Sequence, residues 1–143
     1  MQLSETQFKM LLLYFAFVEG LKEVSKCTEG HVAAIAVSKD MQQVYSIGVN
    51  GGPKGGPDCL CTYGGKYTCI HAEANCIAKC TTTDREKVMI CSYSPCVTCA
   101  SLIINSGFSA LFYVDAYKDA TGLELLKAAG ISVHKINVKG VIK

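Results

Sequence analysis

The sequence predicts an α/β domain in which a five-stranded mixed sheet is sandwiched between helices in three layers. Three observations carry this. Half of the 143 residues are hydrophobic, enough for one compact core over 1–143. After residue 70, short strand-like runs alternate with helical patterns, which implies parallel strands joined by right-handed crossovers. Before it, two strand-like runs meet at Lys39-Asp40 and read as an antiparallel hairpin.

Taken in order, Ser4 caps a first helix and Gln7 completes a capping box, with the pattern running to about Lys26. Residues 32–37 form a continuous apolar run short enough for a buried strand, and Val44–Val49 makes the second. Residues 50–67 are glycine-rich, hold two of the three prolines, and read as a long ordered loop. Residues 71–80 then fit a helix and 88–92 a strand. Residues 97–106 fit a helix ended by Gly107, and 110–114 another strand. Residues 122–129 fit a helix ended by Gly130, and 132–136 a last short strand.

Nine cysteines in a chain of this length and hydrophobicity do not read as a secreted disulfide scaffold. Reduced thiols in a cytoplasm, several of them on metal, is the expected state. The apolar run 10–18 is too short to span a bilayer, and Glu5 stands where a signal peptide carries positive charge. No membrane association is expected. The net charge of +2 is spread along the chain without a basic stripe, so nucleic acid is not an expected partner.

Two motifs carry chemistry. Cys96 and Cys99, three residues apart after Pro95, would put both sulfurs on one side of a helix start. There the helix dipole favours the thiolates that a metal needs. His71 opens the preceding helix and supplies a nitrogen. Three protein ligands with a fourth position left for water is the arrangement of a catalytic zinc. Glu73 is then the natural proton carrier. Each motif alone is weak, since a lone C-x-x-C is more often a structural half-site or a redox pair. Together, His71-Ala72-Glu73 and Pro95-Cys96-Val97-Thr98-Cys99 match the H-x-E…P-C-x-x-C signature of zinc deaminases at every defined position.

The surrounding residues resemble the deoxycytidylate (dCMP) deaminases of the cytidine deaminase superfamily over nearly the whole chain. The resemblance rests on Ser25-Lys26-Cys27 before Val32-Ala33-Ala34-Ile35, on Gly48-Val49-Asn50-Gly51 with Pro53, Gly55 and Cys59, and on Asn75 two residues after Glu73. It rests also on Ser92 to Cys99, Ser106-Gly107, Tyr113 and Tyr117. It implies a cytidine deaminase-like fold and hydrolysis of dCMP to dUMP in thymidylate supply. Asn50 would hold the sugar hydroxyl or the base, the Ala72 N–H the base carbonyl, and Tyr117 would line the nucleotide pocket. For Asn50 the competing reading is a turn-former before Gly51.

Many relatives carry an Arg shortly after the position of Cys27, where this chain has Thr28-Glu29-Gly30-His31. Lys26, or backbone N–H groups near it, would then have to meet the phosphate, against a plain solvated lysine. The resemblance further implies a homo-oligomer, commonly a hexamer, activated by dCTP and inhibited by dTTP near Gly51, Gly52, Pro53, Gly55 and Asn75. Some relatives carry a second, structural zinc at the positions of Cys27, Cys59 and Cys69, with Cys61 near enough to be a fourth ligand. Small buried thiols are the alternative. Cys76, Cys80 and Cys91 are expected in the core or on helix faces. Two other functions compete: deamination of a free nucleoside or of adenosine in tRNA, and a catalytically silent module that zinc merely stabilises.

Overall fold

The computed structural model describes residues 2–84 and 86–137. Four helices and five strands follow in the order α1 (Glu5–Leu21), β1 (Ala33–Val37), β2 (Val44–Val49), α2 (Ala72–Lys79), β3 (Lys87–Tyr93), α3 (Val97–Asn105), β4 (Phe108–Asp115), α4 (Thr121–Ala128) and β5 (Ser132–Lys135). The sheet order is β2-β1-β3-β4-β5. β1 pairs antiparallel with both β2 and β3, whereas β3, β4 and β5 run parallel. The mixed sheet and its hairpin are those expected. The last strand stops one residue early, at Lys135.

α1 begins with the expected capping box: the Gln7 N–H donates to Ser4 Oγ at 3.1 Å and the Ser4 N–H to Gln7 Oε1 at 2.9 Å. It ends at Leu21, earlier than Lys26, because a 3-10 turn at Lys22–Val24 tightens the chain and Ser25 is extended. Its buried residues Leu11, Tyr14, Phe15 and Val18 follow the i, i+3, i+4, i+7 spacing of one helix face. They pack on Ala33, Ile35 and Val37 of β1 and on Val88, Ile90, Ala110 and Phe112. Burying each large apolar side chain there contributes about 1.5–3 kcal/mol. The Tyr14 hydroxyl donates to the Met41 carbonyl at 2.6 Å, holding the hairpin turn in which Met41 takes a left-handed φ of 65°.

The other three helices cover the opposite face. Alanines 34 and 36, alternating with the residues under α1, join Ala72, Cys76, Met89, Cys91, Ala100 and Ile103 in the second core cluster. Small residues let α2 lie close to the sheet. At Gly48 the approach is closest, since a Cβ would overlap the Ala72 carbonyl oxygen and the Cys76 nitrogen. α2 therefore rests on the bare backbone of β2, and this fixes the height of its N-terminus above the sheet. Gly122 plays the same part for α4, which touches the Pro95 carbonyl and the Cys96 backbone.

Cys76 and Cys91 are fully buried and Cys80 is half-buried at the end of α2, as expected. Tyr113 sits in the core cluster beneath these helices. Among the described residues no helix is long and apolar enough to cross a membrane.

Candidate active site

Two helix N-termini converge. His71 is the N-cap of α2 and Cys96 the N-cap of α3, and neither side chain caps its own helix. Ser, Asp or Asn at such a position is typically worth about 1 kcal/mol over a non-capping residue. Both helices forgo that stabilisation and turn these side chains towards each other. His71 Nδ1 lies 3.5 Å from Cys96 Sγ and 3.3 Å from Cys99 Sγ. Tetrahedral zinc with Zn–S of about 2.3 Å and Zn–N of about 2.05 Å requires S–N separations of about 3.6 Å. The donor set and its spacing fit zinc.

The electrostatics point the same way. Glu73, in the first turn of α2, is 4% exposed, and burial pushes its carboxyl above the usual range. Its own N–H, His71 and a hydrogen bond with Cys99 oppose that rise in part. Burial, with Glu73 and Cys96 close by, also drives the Cys99 thiol well up. A carboxylate and two thiolates ionised side by side are costly without a cation, and a divalent ion relieves that cost.

His71, Cys96 and Glu73 line a cleft of about 620 Å³, with Cys99 buried behind them. Ala72, the first residue of α2, also lines it, and its N–H has no acceptor within the helix. Tyr117 lines it too, packed edge-on against Tyr93 at 5.6 Å and held by its N–H donating to Ser94 Oγ at 2.6 Å. Tyr93, Ser94, Thr68 and His31 are lining residues to which sequence reasoning gave no role. Ser94 carried a signal, as a serine directly before Pro95-Cys96.

Asn50 reaches the cleft, but most of its polar capacity is used within the chain. Its Oδ1 accepts from Ser25 Oγ at 2.7 Å and from the Val32 N–H at 2.9 Å, and its Nδ2 donates to the Gly30 carbonyl at 2.7 Å. One amide hydrogen remains for a ligand. Lys26 corrects the expectation placed on it: it is not part of the cleft wall, and its exposed ammonium pairs with Asp58 at 3.4 Å.

The loop expected to lie near bound dCTP or dTTP spends its own donors in the same way. The Gly51 N–H donates to the Ile70 carbonyl at 3.1 Å and the Gly52 N–H to the Asp58 carbonyl at 2.8 Å. Those donors hold the loop to itself. Pro53 and Gly55 belong to a turn closed by the Gly56 N–H on the Pro53 carbonyl, with Gly55 at φ 81°. Asn75 donates its Nδ2 to the Val49 carbonyl at 2.9 Å and ties α2 to the end of β2.

A second cluster stands beside the cleft. Sulfur separations are 3.7 Å for Cys27–Cys61, 3.7 Å for Cys61–Cys69 and 3.5 Å for Cys69–Cys59. All four ligand atoms lie within 4.8 Å of one another. These distances far exceed a disulfide bond of about 2.05 Å, and all nine cysteines are free. They match the edge of about 3.8 Å expected of a ZnS4 tetrahedron. Hydrogen bonds from the Thr28 N–H and hydroxyl pull the Cys59 thiol down, while burial raises Cys69.

The sequence model of the cytidine and deoxycytidylate deaminase zinc-binding region matches residues 11–115. The chain belongs to this family. It is 28% identical to deoxycytidylate deaminase of Saccharomyces cerevisiae over 130 residues, which cover 79% of this chain and 40% of the yeast protein. It is 32% identical to ComE operon protein 2 of Bacillus subtilis over 78 residues, covering 51% of this chain and 41% of that one. The chain thus spans about two-fifths of the length of these curated relatives. Among solved structures it is similar to dCMP deaminase from the cyanophage S-TIM5 in complex with dCMP and dUMP. The TM-score is 0.81 at 25% identity, over 94% of this chain and all of that one.

Proposed function

We propose that this protein hydrolyses dCMP to dUMP and ammonia. The observation that carries the reading is the convergence of His71, Cys96 and Cys99 at tetrahedral spacing, with His71, Cys96 and the buried Glu73 lining one cleft. The likeness to a dCMP deaminase solved with dCMP and dUMP supports the choice of base and sugar. His71, Cys96 and Cys99 would hold one zinc ion, whose Lewis acidity lets a water ionise near neutral pH.

The chain's own residues then manage the protons. Glu73 takes a proton from the water that adds at carbon 4 of the pyrimidine and delivers it to ring nitrogen 3. It then carries a proton to the departing amino group, which leaves as ammonia. Burial raises the Glu73 carboxyl above its ordinary range, which makes it a better proton acceptor than an exposed carboxylate and lets it carry the proton between the two sites. The Ala72 N–H is placed for the base carbonyl, the free Asn50 amide hydrogen for the sugar, and Tyr117 closes one wall.

Cys27, Cys59, Cys61 and Cys69 complete the proposal as a structural zinc site that ties the long loop to the segment after α1. So does a homohexameric assembly, which the exposed Leu13, Phe17 and Val24 at the α1 end of the fold would favour. Response to dCTP and dTTP belongs to the same reading, with the effector held by groups other than the Gly51 and Gly52 N–H donors.

Ammonia release from dCMP, cytidine, deoxycytidine and guanine by zinc-loaded protein tests the substrate. The reading expects dCMP to have the highest kcat/KM. Turnover confined to an unphosphorylated nucleoside would contradict it.

A further inference from the structure

A monophosphate brings about two negative charges to the cleft, and proteins usually meet them with Lys or Arg. Among the described residues that line this cleft there is no lysine and no arginine. Lys26 is turned to Asp58, and Lys54 and Lys118 lie outside the lining set despite their nearness in sequence to lining residues. Outside the metal-ligating set, the cleft wall offers one side chain that can carry positive charge, the imidazole of His31.

The structure also shows why His31 stays there. Asn50 grips the backbone on both sides of it, through Nδ2 on the Gly30 carbonyl at 2.7 Å and Oδ1 on the Val32 N–H at 2.9 Å. The Asn50 N–H adds a bond to the Val32 carbonyl at 3.2 Å. A residue whose backbone is held from either side at the mouth of a cleft has only its side-chain rotamers left to order on binding. Glu29, two positions earlier, lines the same rim and brings negative charge to it.

We propose that His31 recognises the 5′-phosphate of the substrate through an imidazole N–H to a phosphate oxygen, and that Glu29 opposes it, so that the pair sets the preference between nucleotide and nucleoside. This rests on the deaminase reading above. A contact to a charged group is worth roughly 10- to 100-fold in affinity, and a like charge on the same rim works in the other direction.

The test is the ratio of kcat/KM for dCMP to that for deoxycytidine, measured on zinc-loaded wild type, His31→Ala, His31→Lys and Glu29→Gln. The proposal expects His31→Ala to lower the ratio by roughly 10- to 100-fold, mainly through KM for dCMP. His31→Lys should restore it and Glu29→Gln should raise it. Equal losses on both substrates in His31→Ala would assign His31 a purely structural part and overturn the proposal, as would an unchanged ratio. Circular dichroism and zinc content separate misfolding from either result. If that variant does not fold, His31→Lys and Glu29→Gln carry the test, and an unchanged ratio in both overturns the proposal. Wild type inactive on both substrates would overturn the deaminase reading itself, and the phosphate assignment with it.

Discussion

Asn50 shows how one side chain can serve a site from behind. Its carbonyl oxygen satisfies Ser25 and Val32 and its amide satisfies Gly30, so three segments are pinned at the cleft edge. Asn50→Ala leaves the Val32 N–H and the Gly30 carbonyl without these partners. We expect a loss of about 1–3 kcal/mol in urea unfolding, together with a raised KM for dCMP. Asn50→Asp keeps the accepted bonds but sets an oxygen against the Gly30 carbonyl, so it should recover only part of the loss. The sequence offered two readings of Asn50, a turn-former before Gly51 and a substrate ligand. Neither exposes its partners, because Ser25 and Val32 lie 25 and 18 residues away and meet it only in the folded sheet. His71, Cys96, Cys99 and Glu73 were legible for the opposite reason: each pair sits within one helical turn, where sequence spacing already decides direction.

At the level of elements, the site depends on how two helices seat on the sheet. α2 has eight residues and no side-chain cap, so packing rather than its own propensity holds it. Gly48 is the key contact, because any Cβ there meets the α2 backbone and cannot be relieved by a side-chain rotation. Gly48→Ala should cost about 1–3 kcal/mol and weaken zinc retention by lifting His71 away from Cys96 and Cys99. Gly20→Ala, where nothing lies within 4 Å of the added carbon, is the control and should leave zinc retention unchanged and stability the same or up to about 1 kcal/mol higher. Thermal melts with metal analysis check the pair. Apolar runs and periodicity revealed every helix and strand, including the hairpin, with β1 legible as a short continuous apolar run and not as an alternation. They misplaced the end of α1, where a 3-10 turn replaces the last helical turn and the nearest glycine, Gly20, lies inside the helix instead of just past it. The need for glycine at position 48 was invisible too, since it arises from a helix that starts 24 residues later.

For the molecule as a whole, two donor clusters flank one cleft, with Cys69 and His71 two residues apart and serving different ones. If both hold metal, purified protein carries about two zinc ions per chain and chelation removes structure as well as activity. Cys61→Ala should reduce the content to about one ion, lower the melting temperature, and retain measurable deamination, because the catalytic ligands are intact. Retention of two ions in that variant would show that the four sulfurs do not form a closed site. The sequence supplied the four cysteines and the family likeness supplied their pairing with zinc. Their convergence depends on the fold of residues 50–67 back onto the end of α1, which no local pattern encodes.

The most direct measurement compares dUMP formation from dCMP by zinc-loaded wild type and Glu73→Ala, with zinc content and melting temperature recorded for both. The account predicts a loss of at least about 100-fold in kcat with zinc retained and the fold intact. Equal turnover in the two proteins would contradict it.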